Sequence, residues 1–275
     1  MILGIVKVVV VLFVGISLLL YLFQNKMIFY PQPTAPGSQA HYAGHEIRVQ
    51  HGDVTLTGWF FKGRIDAGHP LIVYYGGNAE DVSLNFGDLD RFPAEAFLFM
   101  NYRGYGQSQG RPSEKALLAD ALFILDHVVA NASIDPAHVV LMGRSLGSGV
   151  AVHVAGRRKV GAVILVTPFD SLVNVAKAHY PIFPVGWLLR HRFDSASMAP
   201  GIAVPALFLT ASHDQIVPPR FAANLQRVWG GPVTAVRVDN TDHNTIETSP
   251  VYWKAIHAFL TDTPLQEAAP IQLQP

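Results

Sequence analysis

The sequence predicts an α/β fold: a mainly parallel sheet of about eight strands, covered by helices on both faces and preceded by a transmembrane helix. Three observations predict it. Short, often β-branched apolar runs alternate with segments of helical periodicity, which calls for crossovers between parallel strands. One run leads through Gly143-Arg144-Ser145-Leu146-Gly147 straight into a helix start. The stretch Ile2 to Phe23 holds a single charge, Lys7.

Taken in order, the apolar stretch comes first. Its 22 residues would span about 33 Å as a helix, enough for a bilayer core, with Lys7 snorkelling toward the headgroups. A cleaved signal peptide is the rival, but bulky residues follow, Gln24-Asn25-Lys26-Met27-Ile28-Phe29-Tyr30, where small ones would mark a cleavage site. Residues 1–30 are therefore read as an uncleaved anchor. The α-amine and Lys7 outweigh Lys26, which leans the N-terminus to the cytoplasm and the domain to the non-cytoplasmic side. Residues 31–45 begin with the proline-rich Pro31 to Gly37, read as a stiff connector that holds the domain off the membrane.

The domain proper is expected over 46–262. Ile47-Arg48-Val49 and Val54 to Phe61 read as an antiparallel pair turning at His51-Gly52-Asp53. Strands follow at Leu71 to Tyr75, Ala96 to Tyr102, Val139 to Met142, Ala162 to Val166, Ala206 to Thr210 and Val233 to Val238. Between them, Ser113 to Val129, the segment from Ser148, Pro219 to Trp229 and Ser249 to Leu260 read as helices. The aromatic and proline-containing stretch 170–200 reads as a short cap, and 263–275 as a loose tail.

Composition narrows the function. Half of the 275 residues are hydrophobic, so one large domain can bury a substantial core. Twenty basic and twenty acidic residues cancel, and no basic run carries interleaved aromatics, so nucleic acid is not an expected partner. The absence of cysteine excludes disulfides, thiolate zinc sites and a cysteine nucleophile. No H-E-x-x-H or H-x-H spacing is present, and neither metal nor cofactor is assigned.

The chemistry centres on Ser145. In G-x-S-x-G between strand and helix, the serine sits on a strained turn with its hydroxyl free, and the helix N-terminus favours developing negative charge. Gly143 and Gly147 are needed where a side chain would strike the neighbouring strand or helix. Such a serine needs a base and an acid, which follow it in the order acid, then histidine, from loops at the carboxyl edge of the sheet. Asp214 leaves the strand Ala206 to Thr210, while Asp170, after the preceding strand, is the rival acid. Asp194, within the cap, is weaker. Of twelve histidines, His243 alone combines the right chain order with a loop at a strand end. Two backbone N–H groups should complete an oxyanion hole: that of Leu146, next after the serine, and that of Asn78, after Gly76-Gly77. Arg144 could face substrate or solvent.

These stretches, in their order, resemble the membrane-anchored α/β-hydrolase-domain (ABHD) serine hydrolases, specifically the Bem46-like group. The matching pieces are Gly76-Gly77-Asn78-Ala79, Tyr102-Arg103-Gly104-Tyr105-Gly106, Gly143 to Gly149, Thr167 to Leu172, His213 to Pro218 and Asp242-His243-Asn244. The resemblance implies the α/β-hydrolase fold, with Ser145 as nucleophile, Asp214 as acid, His243 as base, and Leu146 and Asn78 at the oxyanion positions. One departure stands out: relatives usually carry His-Gly where this chain has Gly76-Gly77. The family includes lipases of acylglycerols and lysophospholipids and protein depalmitoylases, and its fold is shared with serine peptidases, so substrate does not transfer with fold. The expectation is an anchored serine hydrolase of lipid or acyl esters or thioesters. A peptidase and a membrane-tethered binding protein with a dead site are the alternatives.

Overall fold

The computed structural model describes residues 2–263 and residue 265. Its centre is one eight-stranded sheet. The strands are β1 (Glu46–His51), β2 (Val54–Phe61), β3 (Leu71–Tyr75), β4 (Ala96–Met100), β5 (Val139–Arg144), β6 (Ala162–Val166), β7 (Ala206–Ala211) and β8 (Val233–Val238). They lie in the order β1-β2-β4-β3-β5-β6-β7-β8. β2 pairs antiparallel with β1 and with β4, and every later pair is parallel. The β1–β2 hairpin closes with His51 opposite Val54, and Gly52 supplies the left-handed φ of +64° that a two-residue turn needs.

Continuous apolar strands have a simple cause here: both faces are covered. Leu71, Val73 and Tyr75 of β3 point into one core, Ile72 and Tyr74 into the other. The first core is closed by α2 (Glu114–Ala132), α3 (Leu146–Ala155) and α5 (Pro219–Val228), through Leu117, Val150 and Phe221. The second is closed by α6 (Pro250–Asp262), through Tyr252, Ile256 and Phe259. The Ser113 hydroxyl caps α2 by accepting from the Ala116 N–H at 3.2 Å. Between β6 and β7 the chain detours through α4 (Leu172–His179) and two short helices, Val185–Leu188 and Ser195–Met198, the stretch expected as a cap.

The apolar N-terminus forms α1 (Ile2–Ile28), exposed along its most apolar stretch. Its last turns are fastened to the domain. Gln24 donates to the Leu188 carbonyl at 3.2 Å and accepts from the Arg190 N–H at 2.7 Å. Asn25 Oδ1 accepts from His191 Nε2 at 2.8 Å, and Phe29 is buried in the core. The expectation of a spacer after α1 needs correction. The Gln32 carbonyl accepts from Gly106 N–H at 2.8 Å, and Ala35 N–H donates to Asp81 at 2.7 Å, so the connector lies on the domain. Proline content sets local stiffness and leaves open what the remaining polar groups bind. The expected tail, 263–275, lies outside the described residues except for Thr263 and Leu265, and Leu265 is buried against the second core.

Candidate active site

Because β3, β5, β6, β7 and β8 run parallel, the loops after them share one edge of the sheet. Ser145 leaves β5 and heads α3 with φ +51° and ψ −115°, a conformation costly for a residue with a side chain. The glycines on either side explain how the turn fits. A Cβ on Gly143 would meet the Gly147 carbonyl oxygen, and one on Gly147 would meet the carbonyl oxygens of Tyr75 and Gly76. Only bare backbone allows strand, turn and helix to approach so closely.

The three residues expected to act together are brought together. His243 Nε2 lies 2.9 Å from Ser145 Oγ, and His243 Nδ1 lies 2.7 Å from Asp214 Oδ2. Asp214 is buried, and its other oxygen accepts from the N–H groups of Ile216 at 2.9 Å and Val217 at 2.7 Å. These bonds orient the carboxylate, so its free edge faces the imidazole. Asp170, the rival acid, is equally buried but otherwise engaged. It accepts from Ser171 N–H at 2.6 Å, Asn174 Nδ2 at 3.0 Å and Asn224 Nδ2 at 2.8 Å, tying α4 to α5. Asp194 caps the short helix Ser195–Met198. His213, next to Asp214, is exposed.

Leu146 is the first residue of α3, so its N–H is one of those that a helix leaves without an internal acceptor. Leu146 and Asn78 line the same cavity as Ser145. The Asn78 side chain is held from behind: its Oδ1 accepts from Tyr30 N–H at 3.0 Å and from the Tyr105 hydroxyl at 2.9 Å. Burial raises the Tyr105 pKa, which keeps this hydroxyl a donor. From sequence, Tyr30 reads as an aromatic suited to the membrane interface and Tyr105 only as part of a motif that carries the resemblance; neither is expected at the site.

Glu80 is the other residue that sequence reasoning misses. It accepts from Gly77 N–H at 2.6 Å and from the Tyr74 hydroxyl at 2.7 Å, and it lies 3.5 Å from Arg144. Arg144 in turn donates to the His243 carbonyl at 3.2 Å. Burial opposes the Arg144 charge, yet Glu80, Tyr74 and Glu247 outweigh it and raise its pKa. Arg144 is therefore a strut beneath the site, linking the loop after β3 to the loop after β8.

Above Ser145 lies a cavity of about 260 Å³, near the lower end of ordinary ligand pockets at roughly 300 Å³. Its walls are almost wholly apolar: Leu146 and Phe169 at the base, Leu172 and Val175 of α4, Phe183 and Leu188 of the cap, Ile216 and Val217 after β7. Leu20, Met27 and Ile28 of α1 complete it. The arrangement is a hydroxyl, an imidazole and an oriented carboxylate in one chain of contacts beneath an apolar cavity.

A model of the alpha/beta hydrolase family matches residues 75–267. An uncharacterised protein of Mycobacterium tuberculosis is 32% identical over 269 residues, covering 95% of each chain. An uncharacterised membrane protein of Saccharomyces cerevisiae is 28% identical over 262 residues, covering 88% of this chain and 90% of its own. The solved structure of acetyl xylan esterase from Paenibacillus sp. R4 shares the fold with a TM-score of 0.60 at 17% identity, covering 87% of this chain and 98% of its own. The family match and the mycobacterial relative, which runs nearly the full length, place the sequence: this chain belongs to the alpha/beta hydrolase family.

Proposed function

We propose that this hydrolase is a membrane-anchored serine enzyme of the Bem46-like group that cleaves lipid or other acyl esters, or thioesters, through an acyl-enzyme. The observation that carries the reading is the chain of contacts from Asp214 to His243 to Ser145, 2.7 Å and 2.9 Å, at the floor of an apolar cavity. His243 takes the Ser145 proton on Nε2 as Oγ attacks the ester carbonyl. Asp214 holds the Nδ1–H tautomer and stabilises the imidazolium. The N–H groups of Leu146 and Asn78 receive the oxyanion. The proton on His243 then goes to the leaving alcohol or thiol, and water, activated by the same imidazole, releases the acid.

Apolar walls free of carboxylates and ammonium groups favour an acyl chain over a charged peptide. The exposed, apolar α1 supports an anchor, in keeping with the name of the yeast relative. The deciding experiment is fluorophosphonate labelling of the full chain in vesicles, with Ser145→Ala as control, alongside a panel of acyl esters and peptide amides. Labelling at Ser145 with turnover of the esters is the expected result. An unlabelled protein would favour a tethered binding protein, and turnover of the amides alone a peptidase.

A further inference from the structure

The cap is exposed where a water-facing lid would be polar. Trp187 is 89% and Ile182 73% exposed, and neither lines the cavity. From Leu172 to Arg192 the chain carries Lys177, Arg190 and Arg192 but no acidic residue, although charges balance over the whole protein. Its backbone is largely self-sufficient. Pro181 and Pro184 have no N–H, and six of the eight N–H groups from Tyr180 to Leu189 donate to backbone carbonyls within residues 176–185. Irregular chain without internal partners is not tolerated in hydrocarbon, so this pattern suits a segment that leaves water.

The depth follows from α1. Phe13 stacks on Phe183, ring centroids 5.5 Å apart and planes 7° from parallel. Phe13 lies eleven residues before Gln24, where α1 is hydrogen-bonded to the domain surface. That separation is about 16 Å of helix, close to one leaflet of a hydrocarbon core about 30 Å thick. A helix crossing the bilayer cannot keep both contacts while the cap stays in water. Arg190, near the ring of Tyr21 at 5.1 Å, falls where headgroups would meet it.

We propose that the cap segment Tyr180 to Leu188 is sunk in the leaflet beside α1, so that the cavity between them opens into lipid and takes its substrate laterally from the membrane. The proposal rests on the reading of α1 as a bilayer span. The surface is continuous with that span, and its occupant is the acyl region of a phospholipid leaflet.

The chain has no cysteine, so single variants can be labelled cleanly in the full protein. Ile182→Cys, Trp187→Cys, Val10→Cys and Lys159→Cys would each carry a nitroxide, in vesicles of phosphatidylcholine and phosphatidylglycerol. Collision rates with oxygen and with a water-soluble nickel chelate report depth. Oxygen-rich signals at 182, 187 and 10, with an aqueous signal at 159, are expected. Aqueous signals at 182 and 187 with an oxygen-rich signal at 10 would overturn the proposal and leave the anchor standing. Aqueous signals at all four sites would overturn both. As a functional test, Ile182→Asp combined with Trp187→Gln should lose about tenfold on a long-chain ester embedded in vesicles. Turnover of p-nitrophenyl butyrate in solution should persist, which also checks folding. Unchanged vesicle turnover, or equal loss on both substrates, would count against the proposal.

Discussion

The Tyr30 N–H, just past the end of α1, donates to Asn78 Oδ1 at 3.0 Å, so the apolar helix is joined directly to the loop beside the candidate nucleophile. This bond places part of α1 within the working parts of the domain and shapes the first prediction. The expected anchor boundary at residue 30 suggests that removing residues 1–30 would free an active domain. With α1 docked, that cut also removes Leu20, Met27 and Ile28 from the cavity wall, and Phe29 from the core. A chain starting at residue 19 should keep short-chain esterase activity, whereas one starting at residue 31 should lose roughly tenfold or more, or aggregate, since the buried Phe29 goes with the cavity wall and fully burying such a side chain is worth about 1.5–3 kcal/mol. Assay of both truncations on one soluble ester separates the cases, and equal activity would show that the docked turns are dispensable.

Ser145→Ala should abolish fluorophosphonate labelling and lower turnover by about 10³-fold or more, because triad residues act as a unit. The circular dichroism spectrum should be unchanged, since only one hydroxyl is removed. Residual turnover near wild type would point to another nucleophile.

Asp214→Asn and Asp170→Asn should differ in kind. At Asp214 an amide favours the wrong imidazole tautomer, an effect on the order of 10⁴-fold in a well-studied triad. At Asp170 an amide must face two asparagine amides and the Ser171 N–H, so the loss should fall on stability, about 1–3 kcal/mol, with turnover changed by about tenfold or less. Kinetics and thermal melts of both variants provide the check. Collapse of turnover in the Asp170 variant alone would reverse the roles.

The junction between α1 and the domain should weaken in acid. His191 Nδ1 accepts from Glu114 N–H at 3.3 Å while Nε2 donates to Asn25, a pattern only the neutral ring satisfies. Burial, and then the charge of Arg190, hold its pKa below the ordinary 6.5. The unfolded chain therefore binds the proton more readily than the folded one. The stabilisation is complete above pH 6.5 and declines as pH falls below it toward the folded value. Melting temperature against pH should show this loss in the wild type and less of it in His191→Gln. Parallel curves would remove His191 as the cause.

How far the sequence could be read depended on whether each signal was local. The turn at Ser145 is written in consecutive residues, strand to glycine to serine to glycine to helix, and chain order narrowed the histidines to His243. Asp214 and Asp170 both follow strands, so local sequence alone barely separates them; the resemblance favours Asp214, and the structure distinguishes the two by their partners. The Tyr30–Asn78 bond spans 48 residues, and the Gln24 contact with Leu188 spans 164. No periodicity announces such pairs. Glu80 carries no local signal for the same reason: its importance lies in its contacts with Gly77 and Arg144, not in its surroundings along the chain.

The two glycines flanking Ser145 have a genetic consequence. A damaging substitution in a packed core can often be relieved by shrinking the neighbour it strikes. At Gly147 the obstructing atoms are the carbonyl oxygens of Tyr75 and Gly76, and at Gly143 the carbonyl oxygen of Gly147. Every amino acid carries that oxygen, so no exchange of neighbouring side chains can make room. A Gly147→Ala allele should therefore yield no suppressors among the residues it touches, and a selection for revertants should return glycine alone.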